Sequence, residues 1–307
     1  MPRAVWVLVL ALALGAMGCT AREQTHRPTI GVSLLTRQHP FYQALERGMR
    51  TAAERSGYRL QVQSGEFDLA SQTYQVENFI SMAVDAIVLC PTDSKGVSAA
   101  VRGANEANIP VFTADIAAHG RGHVVCHIAS DNRQGGELAA RYLAQALGEQ
   151  GEVVIIDHPE VSSVQERTRG FEAELARHPG MTLVAKPSAE GQRDKAMSAM
   201  ENVLQAHPKV RGVFGINDDC ALGALAAVDA ARRNDVVIVG YDATPEARQA
   251  ILRGSSLKAD VVQNPGLIGE KTIEMIDKHL HHETVPESLP IPVGIVDAAA
   301  VRAEDKP

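Results

Sequence analysis

Four polar residues of this 307-residue chain each follow a short apolar run: Asp115 after Ile109–Thr113, Asn217 after Val210–Gly215, Asp242 after Val236–Gly240 and Gln263 after Leu257–Val262. Arg167 stands early in a segment of helical character, and Phe41 and Tyr42 follow Pro40. Carboxylates, amides and a guanidinium supply the acceptors and donors that fix a polar ligand. Each also has a structural reading. Asp, Asn or Gln after a strand caps the next helix or fixes a turn, Arg167 reads as a solvated charge, and Phe41 has the spacing of a core residue. The functional reading rests on placement, because all of these positions fall on one edge of the predicted sheets. Motifs of enzyme chemistry are missing: the sequence has no G-x-S-x-G elbow, no H-E-x-x-H, no P-loop and no G-x-G-x-x-G. Gly135-Gly136 lies inside a predicted helix and does not open it as a phosphate loop would. His279-Leu280-His281-His282-Glu283 is either a metal cluster or, as we read it, a polar helix end with histidines near the negative dipole terminus. The chain is therefore read as a binder and not an enzyme, with no cofactor and no metal.

The elements that must position these residues alternate regularly. Thr29–Leu35 has strand character. Pro40 suits a first helical position, and Phe41, Leu45, Gly48, Met49 and Ala52 then recur at helical spacing. The same strand–loop–helix unit recurs through strands at Tyr58–Gln63, Asp85–Cys90, Ile109–Thr113 and Val124–Ala129. Asp93 or Ser94 is placed to cap the helix after the third strand. Ser130-Asp131-Asn132 opens a helix through Leu147, and a second series follows, with strands at Glu152–Asp157, Met181–Ala185, Val210–Gly215, Val236–Gly240 and Leu257–Val262. Pro265–Leu280 is a helix, the Pro-rich stretch Pro286–Pro292 reads as extended chain, and a last strand lies near Val293–Val296. This alternation predicts parallel sheets covered by helices. The fold class is α/β, with two doubly wound parallel-sheet lobes, and such sheets bind ligands outside the carboxyl ends of their strands.

The composition is globular, 45% hydrophobic and 22% charged, and a net charge of −7 without a basic stripe gives no reason to expect a nucleic-acid partner. Residues 1–19 read as a signal segment: Arg3 supplies the positive n-region, and the apolar run Ala4–Ala16 is too short to span a bilayer. Ala16-Met17-Gly18-Cys19 resembles a bacterial lipobox, with Ala16 where Leu is usual, so Cys19 is expected to be lipidated and residues 20–28 to act as a tether. The membrane is then met only through this anchor. Cys90, Cys126 and Cys220 fit neither a zinc site nor a redox pair and are expected to be buried free thiols. Trp6, the only tryptophan, lies in the signal segment.

Several motifs, in this order and spacing, resemble the type I periplasmic sugar-binding proteins, and within them the ribose-binding branch. They are Pro40-Phe41-Tyr42, Pro91-Thr92-Asp93-Ser94, Asn108-Ile109-Pro110-Val111, His127-Ile128-Ala129-Ser130-Asp131-Asn132, Asn217-Asp218 before Ala221-Leu222-Gly223-Ala224, and Gly240-Tyr241-Asp242-Ala243-Thr244-Pro245. The resemblance covers about Thr29 to Val296. It implies an N-terminal lobe of residues 29–129 plus 264–291 and a C-terminal lobe of 130–263 plus 292–307, joined by three crossings near Ala129, Gln263 and Pro292. It also implies a monomer that captures a small sugar or polyol between closing lobes and hands it to an ABC permease at the periplasmic face, in some relatives also to a chemoreceptor. A ligand-sensing receptor without transport is the alternative. The effector domain of a LacI-like repressor shares the fold, but a signal segment stands where its DNA-binding motif would be.

Carried over by this resemblance, the sugar contacts are His39, Phe41, Tyr42, Asp115, Arg167, Asn217, Asp242 and Gln263, with aromatic faces against the sugar ring and polar groups around its hydroxyl rim. Ile116 and Gly191 line the pocket. Three positions differ from the ribose binders: His39 stands where they have Asn, Ile116 follows Asp115 where they have Arg, and Gly191 falls where they have a third aromatic. The expectation turns from ribose itself to a deoxysugar, a branched sugar or a larger polyol. With one arginine facing two aspartates, a protonated His39 would restore the charge balance.

Overall fold

The computed structural model describes residues 27–304. Cys19, the signal segment and most of the tether lie outside the described residues. The first series runs β1 (Thr29–Leu34), α1 (Pro40–Arg55), β2 (Arg59–Ser64), α2 (Leu69–Ser81), β3 (Ala86–Leu89), α3 (Ser98–Glu106), β4 (Val111–Ala114) and β5 (Cys126–Ser130). The second runs α4 (Asn132–Leu147), β6 (Gly151–Ile156), α5 (Ser162–Leu175), β7 (Met181–Ala185), α6 (Arg193–Ala206), β8 (Val210–Gly215), α7 (Asp218–Ala230), β9 (Val237–Asp242), α8 (Pro245–Leu252) and β10 (Leu257–Val262). The tail adds α9 (Pro265–Leu280), β11 (Ser288–Ile291), β12 (Gly294–Asp297) and α10 (Ala298–Glu304).

The strands form two sheets with the same internal order, β11-β5-β4-β3-β1-β2 and β12-β10-β9-β8-β6-β7. The central strands β3 and β4 are buried throughout, as apolar runs covered on both faces must be. Edge strand β2 alternates between partly buried and exposed residues at its start. Several of the helices that leave the carboxyl ends of strands carry a side-chain cap there. Asp131 accepts from Gln134 N–H, Asn217 from Cys220 N–H, Thr244 from Ala247 N–H and Asn264 from Leu267 N–H. Strand-end polar residues thus fix where these four helices start.

In both lobes a helix pair meets at glycines. A Cβ on Gly136 of α4 would lie 1.9 Å from Arg167 O, and one on Gly170 of α5 would lie 2.1 Å from Arg133 O. In the other lobe a Cβ on Gly48 of α1 would lie 2.1 Å from Gly266 O. Gly136 therefore serves backbone-to-backbone packing, and the residue it admits so closely is Arg167.

The structure departs from the sequence expectations in the tail and at one cap. The Pro-rich stretch contains a true strand, β11, parallel to β5 at the edge of the first sheet, where the missing N–H of Pro290 is tolerated. β12 is antiparallel to β10, not parallel. The reason is connectivity: β10 ends where the chain crosses between lobes, β12 begins at such a crossing, and no helix intervenes after β11. α10 was not anticipated. Neither Asp93 nor Ser94 caps α3, which starts after Val97 without a side-chain cap. Asp93 instead accepts from the N–H groups of Lys95 and Gly96 in a local turn. Ser94 bridges the lobes: its N–H donates to Glu160 O at 3.1 Å and its Oγ accepts from Ser162 N–H at 2.9 Å.

Candidate ligand-binding site

The facing carboxyl ends of the two sheets enclose a narrow cavity of about 50 Å³. All ten residues expected at the site line it: His39, Phe41, Tyr42, Asp115, Ile116, Arg167, Gly191, Asn217, Asp242 and Gln263.

On the N-terminal wall, His39 caps α1: its Nδ1 accepts the Phe41 N–H at 3.1 Å. This cap and Pro40 fix the start of the helix, so Phe41 and Tyr42 turn inward and meet edge to face, 5.2 Å between centroids. Tyr42 Oη donates to Asp115 Oδ2 at 2.7 Å, while Asp115 Oδ1 is buried without a partner. Asp115 sits in a left-handed conformation, φ 67°, at the turn after β4. Ile116 beside it is buried and brings no polar group.

On the C-terminal wall, Arg167 is buried, not solvated. Its Nε donates to Asn132 Oδ1 at 2.8 Å, its Nη1 donates to Ile216 O at 2.6 Å, and the guanidinium carbon lies 3.8 Å from the centre of the Tyr241 ring. Tyr241 Oη donates to the same Asn132 oxygen at 3.2 Å. Asn217 satisfies both readings: its Oδ1 caps α7, while Nδ2 donates to Gly191 O at 3.1 Å at the cavity wall. Asp242, with φ 116°, accepts on Oδ1 from Gln263 Nε2, and Gln263 Oε1 is buried without a partner. His39 Nε2 approaches Asp242 Oδ2 across the cleft at 3.4 Å.

Charge in the cavity is set mainly by desolvation. Burial pushes the Asp115 carboxyl up to about 6, against the Arg167 charge and the Tyr42 hydrogen bond, which pull it down. Burial also raises Asp242, with His39 and Arg167 opposing. The expectation of a protonated His39 meets an obstacle in its cap. Nδ1 needs its lone pair for the Phe41 N–H, so Nε2 carries the hydrogen that faces Asp242. Partial protonation of the aspartates themselves is the alternative route to balance.

Behind Asp242 lies a second acidic pair. Asp218 Oδ2 accepts from Thr244 N–H at 2.6 Å and Asp260 Oδ1 from Ala243 N–H at 3.0 Å. The remaining oxygens, Asp218 Oδ1 and Asp260 Oδ2, have no other donor and converge over Gly240, 3.0 and 2.6 Å from where its Cβ would stand. Burial raises both carboxyls, and the Asp218 charge raises Asp260 further. A proton shared between them would satisfy both oxygens beside the 242–244 corner.

Sequence reasoning missed His158 and Phe67, which also line the cavity. His158 Nδ1 lies 3.3 Å from the place of a Cβ on Gly191, so an imidazole occupies part of the wall near that glycine. Burial lowers its pKa. Its position at the carboxyl end of β6 was the available signal.

Two doubly wound lobes that close a polar cavity between the carboxyl ends of their strands have the architecture of type I periplasmic binding proteins. The periplasmic binding protein domain family matches residues 30–284, and the chain belongs to that family. It is 37% identical over 290 residues to the ribose import binding protein of Escherichia coli, covering 94% of this chain and 96% of that protein. It is 33% identical over 276 residues to a D-apiose import binding protein of Paraburkholderia graminis, covering 90% and 88%. Among solved structures, an ABC transporter periplasmic solute-binding protein from Actinobacillus succinogenes with bound D-allose superposes with a TM-score of 0.83 at 28% identity, covering 90% of this chain and all of that one.

Proposed function

We propose that this protein captures a small neutral sugar or polyol between its two lobes and delivers it to the permease of an ABC importer. The observation that carries this reading is the pairing of unused acceptors with a fixed cation. Asp115 Oδ1 and Gln263 Oε1 are buried without donors, and Arg167 is held over the same cavity. Buried acceptors without partners are costly, and the hydroxyl rim of a sugar supplies the missing donors. The family and the import binding proteins it resembles support the same reading. His39, Phe41, Tyr42, Asp115, Arg167, Asn217, Asp242 and Gln263 are the proposed contacts, and no turnover of the ligand is required of them.

The lobes of this reading are residues 29–129 plus 264–291 and 130–263 plus 292–307, which part and close about the three crossings. The protein acts as a monomer on the periplasmic side, tethered through a lipid on Cys19. Ile116 offers an apolar edge where the ribose pattern has a guanidinium, so a branched or deoxy sugar, of which D-apiose is a branched example, is preferred over D-ribose. The test is thermal shift followed by calorimetry with D-ribose, D-apiose, D-allose, a deoxysugar and xylitol, on wild type and Asp242→Ala. A ligand at a hundred times its dissociation constant stabilises by about 2.7 kcal/mol. No stabilisation by any member, or equal binding by Asp242→Ala, counts against the proposal.

A further inference from the structure

Gly191 leaves the C-terminal wall without a side chain of its own, and an aromatic ring lines the same cavity from the other lobe. Phe67, in the loop between β2 and α2, lines the cavity and also shares a neighbouring recess with Gly191. It is 37% exposed and belongs to none of the apolar core clusters. Its backbone is strained: Glu66 and Phe67 are consecutive non-glycine residues in the left-handed region, at φ 46° and 64°. Such a conformation costs about 1–3 kcal/mol per residue and persists only where surrounding bonds over-determine it.

Those bonds are present. The Glu66 carboxylate accepts from Ser64 Oγ at 2.6 Å, Thr36 Oγ1 at 2.8 Å, Arg37 N–H at 3.1 Å and Gln38 Nε2 at 3.3 Å. Phe67 N–H donates to Leu35 O at 3.2 Å, and Asp68 caps α2 by accepting from Ser71 N–H at 2.6 Å. A loop pinned on both sides thus holds an apolar ring at the cavity, where the ring gains no core packing. Core burial of the ring is not what this pinned loop achieves.

We propose that Phe67 is a specificity-determining residue that touches the ligand. It supplies from the N-terminal lobe the apolar face that Gly191 does not supply from the C-terminal lobe. The ligand class this selects is a small sugar or polyol that presents a C–H face or a methyl-bearing edge toward Phe67 while its hydroxyls meet Asp115 and Gln263. The inference rests on the proposed sugar-binding function and deepens it.

Two variants of the full chain test this. Phe67→Asn removes the ring but keeps a residue type that tolerates the left-handed conformation, so folding is preserved. Without sugar its melting temperature should match or exceed wild type. With whichever of D-ribose, D-apiose, D-allose or xylitol the wild type binds, its affinity should fall about tenfold, the scale of a lost aromatic contact. Phe67→Trp in a Trp6→Phe background makes position 67 the only tryptophan. Its emission should shift on adding that sugar, with the midpoint found by calorimetry, and its quenching by acrylamide should fall. Unchanged affinity in Phe67→Asn with silent emission in Phe67→Trp, while Asp242→Ala loses binding, would overturn the role of Phe67 and leave the sugar site standing. A wild type that binds none of the four would overturn the sugar reading and this inference with it.

Discussion

Tyr42 donates its phenolic hydrogen to Asp115 Oδ2 at 2.7 Å, with both side chains buried. The tyrosine therefore contributes more than a ring face: it occupies one oxygen of the carboxylate and leaves Oδ1 as the acceptor open to a ligand. Tyr42→Phe keeps the ring and removes the donor. Hydrogen bonds to charged groups contribute about 1.5–3 kcal/mol, and part of that is expected as weaker sugar binding at neutral pH. Calorimetry at matched pH measures it, and a near-wild-type melting temperature in mild acid would show that the fold is intact.

Asp115 is expected to give sugar binding a pH response. Its carboxyl is raised by burial to about 6 in the folded protein, above the ordinary aspartate value. Between these two values the folded state binds more protons than the unfolded chain, so this residue's contribution to stability falls as pH rises through about 6. A sugar hydroxyl donating to Oδ1 favours the ionised form, so binding should release a proton and affinity should weaken as pH drops below that value. Calorimetry in buffers of different ionisation enthalpy reads the proton count, and Asp115→Asn should remove this component. Proton uptake on binding would instead restore the histidine hypothesis suggested by the sequence, in which His39 becomes charged.

The Asp218–Asp260 pair predicts an unusual sign for a neutralising substitution. Asp260→Asn lets an amide accept from Ala243 N–H and donate to Asp218 Oδ1, replacing the shared proton. Because both carboxyls are raised by burial, the wild-type pair loses stability as pH rises. Asp260→Asn should therefore match wild type near pH 5 and exceed it near pH 8, a separation expected from linkage. Asp260→Ala should be destabilised by about 1–3 kcal/mol at both, since it leaves buried groups unpaired. Urea titrations at the two pH values distinguish these outcomes.

Gly136→Ala tests whether helix packing positions the guanidinium. The new Cβ would lie 1.9 Å from Arg167 O, so α4 and α5 must part. Overpacking of this kind costs about 1–3 kcal/mol. Sugar affinity should fall as well, because Arg167 moves with its helix. Destabilisation with unchanged affinity would show that Arg167 adjusts independently of the helix crossing.

Much of this architecture is legible in the sequence because it rests on local pattern. Strand runs such as Ala86–Leu89 and caps such as Asp131 and Asn217 announce themselves, and strand-end polar residues then fall on the cavity edge. β11 was hidden because Pro290 argues against a strand, and only its place at a sheet edge removes that objection. The direction of β12 depends on where the chain crosses, which no periodicity encodes. Arg167 looks like any surface charge until Gly136 and Tyr241 are seen to enclose it. Phe67 and His158 are single loop residues, and a lone side chain in a loop carries no period to read.

The pairings inside each wall have a mechanical meaning. Tyr42 is satisfied by Asp115 within one lobe, and Arg167 by Asn132, Ile216 and Tyr241 within the other. The cavity is thus built of two half-moulds, each held in shape by hydrogen bonds within its own wall. The two walls meet at His39 and Asp242, 3.4 Å apart, and beside the cavity at Ser94, Ala117 and Ser162, where Ser162 N–H donates to Ser94 Oγ and Ala117 N–H to Ser162 Oγ at 2.8 Å. In the proposed cycle the half-moulds decide which cargo fits, while the bonds along this seam are the ones that must break before the lobes part.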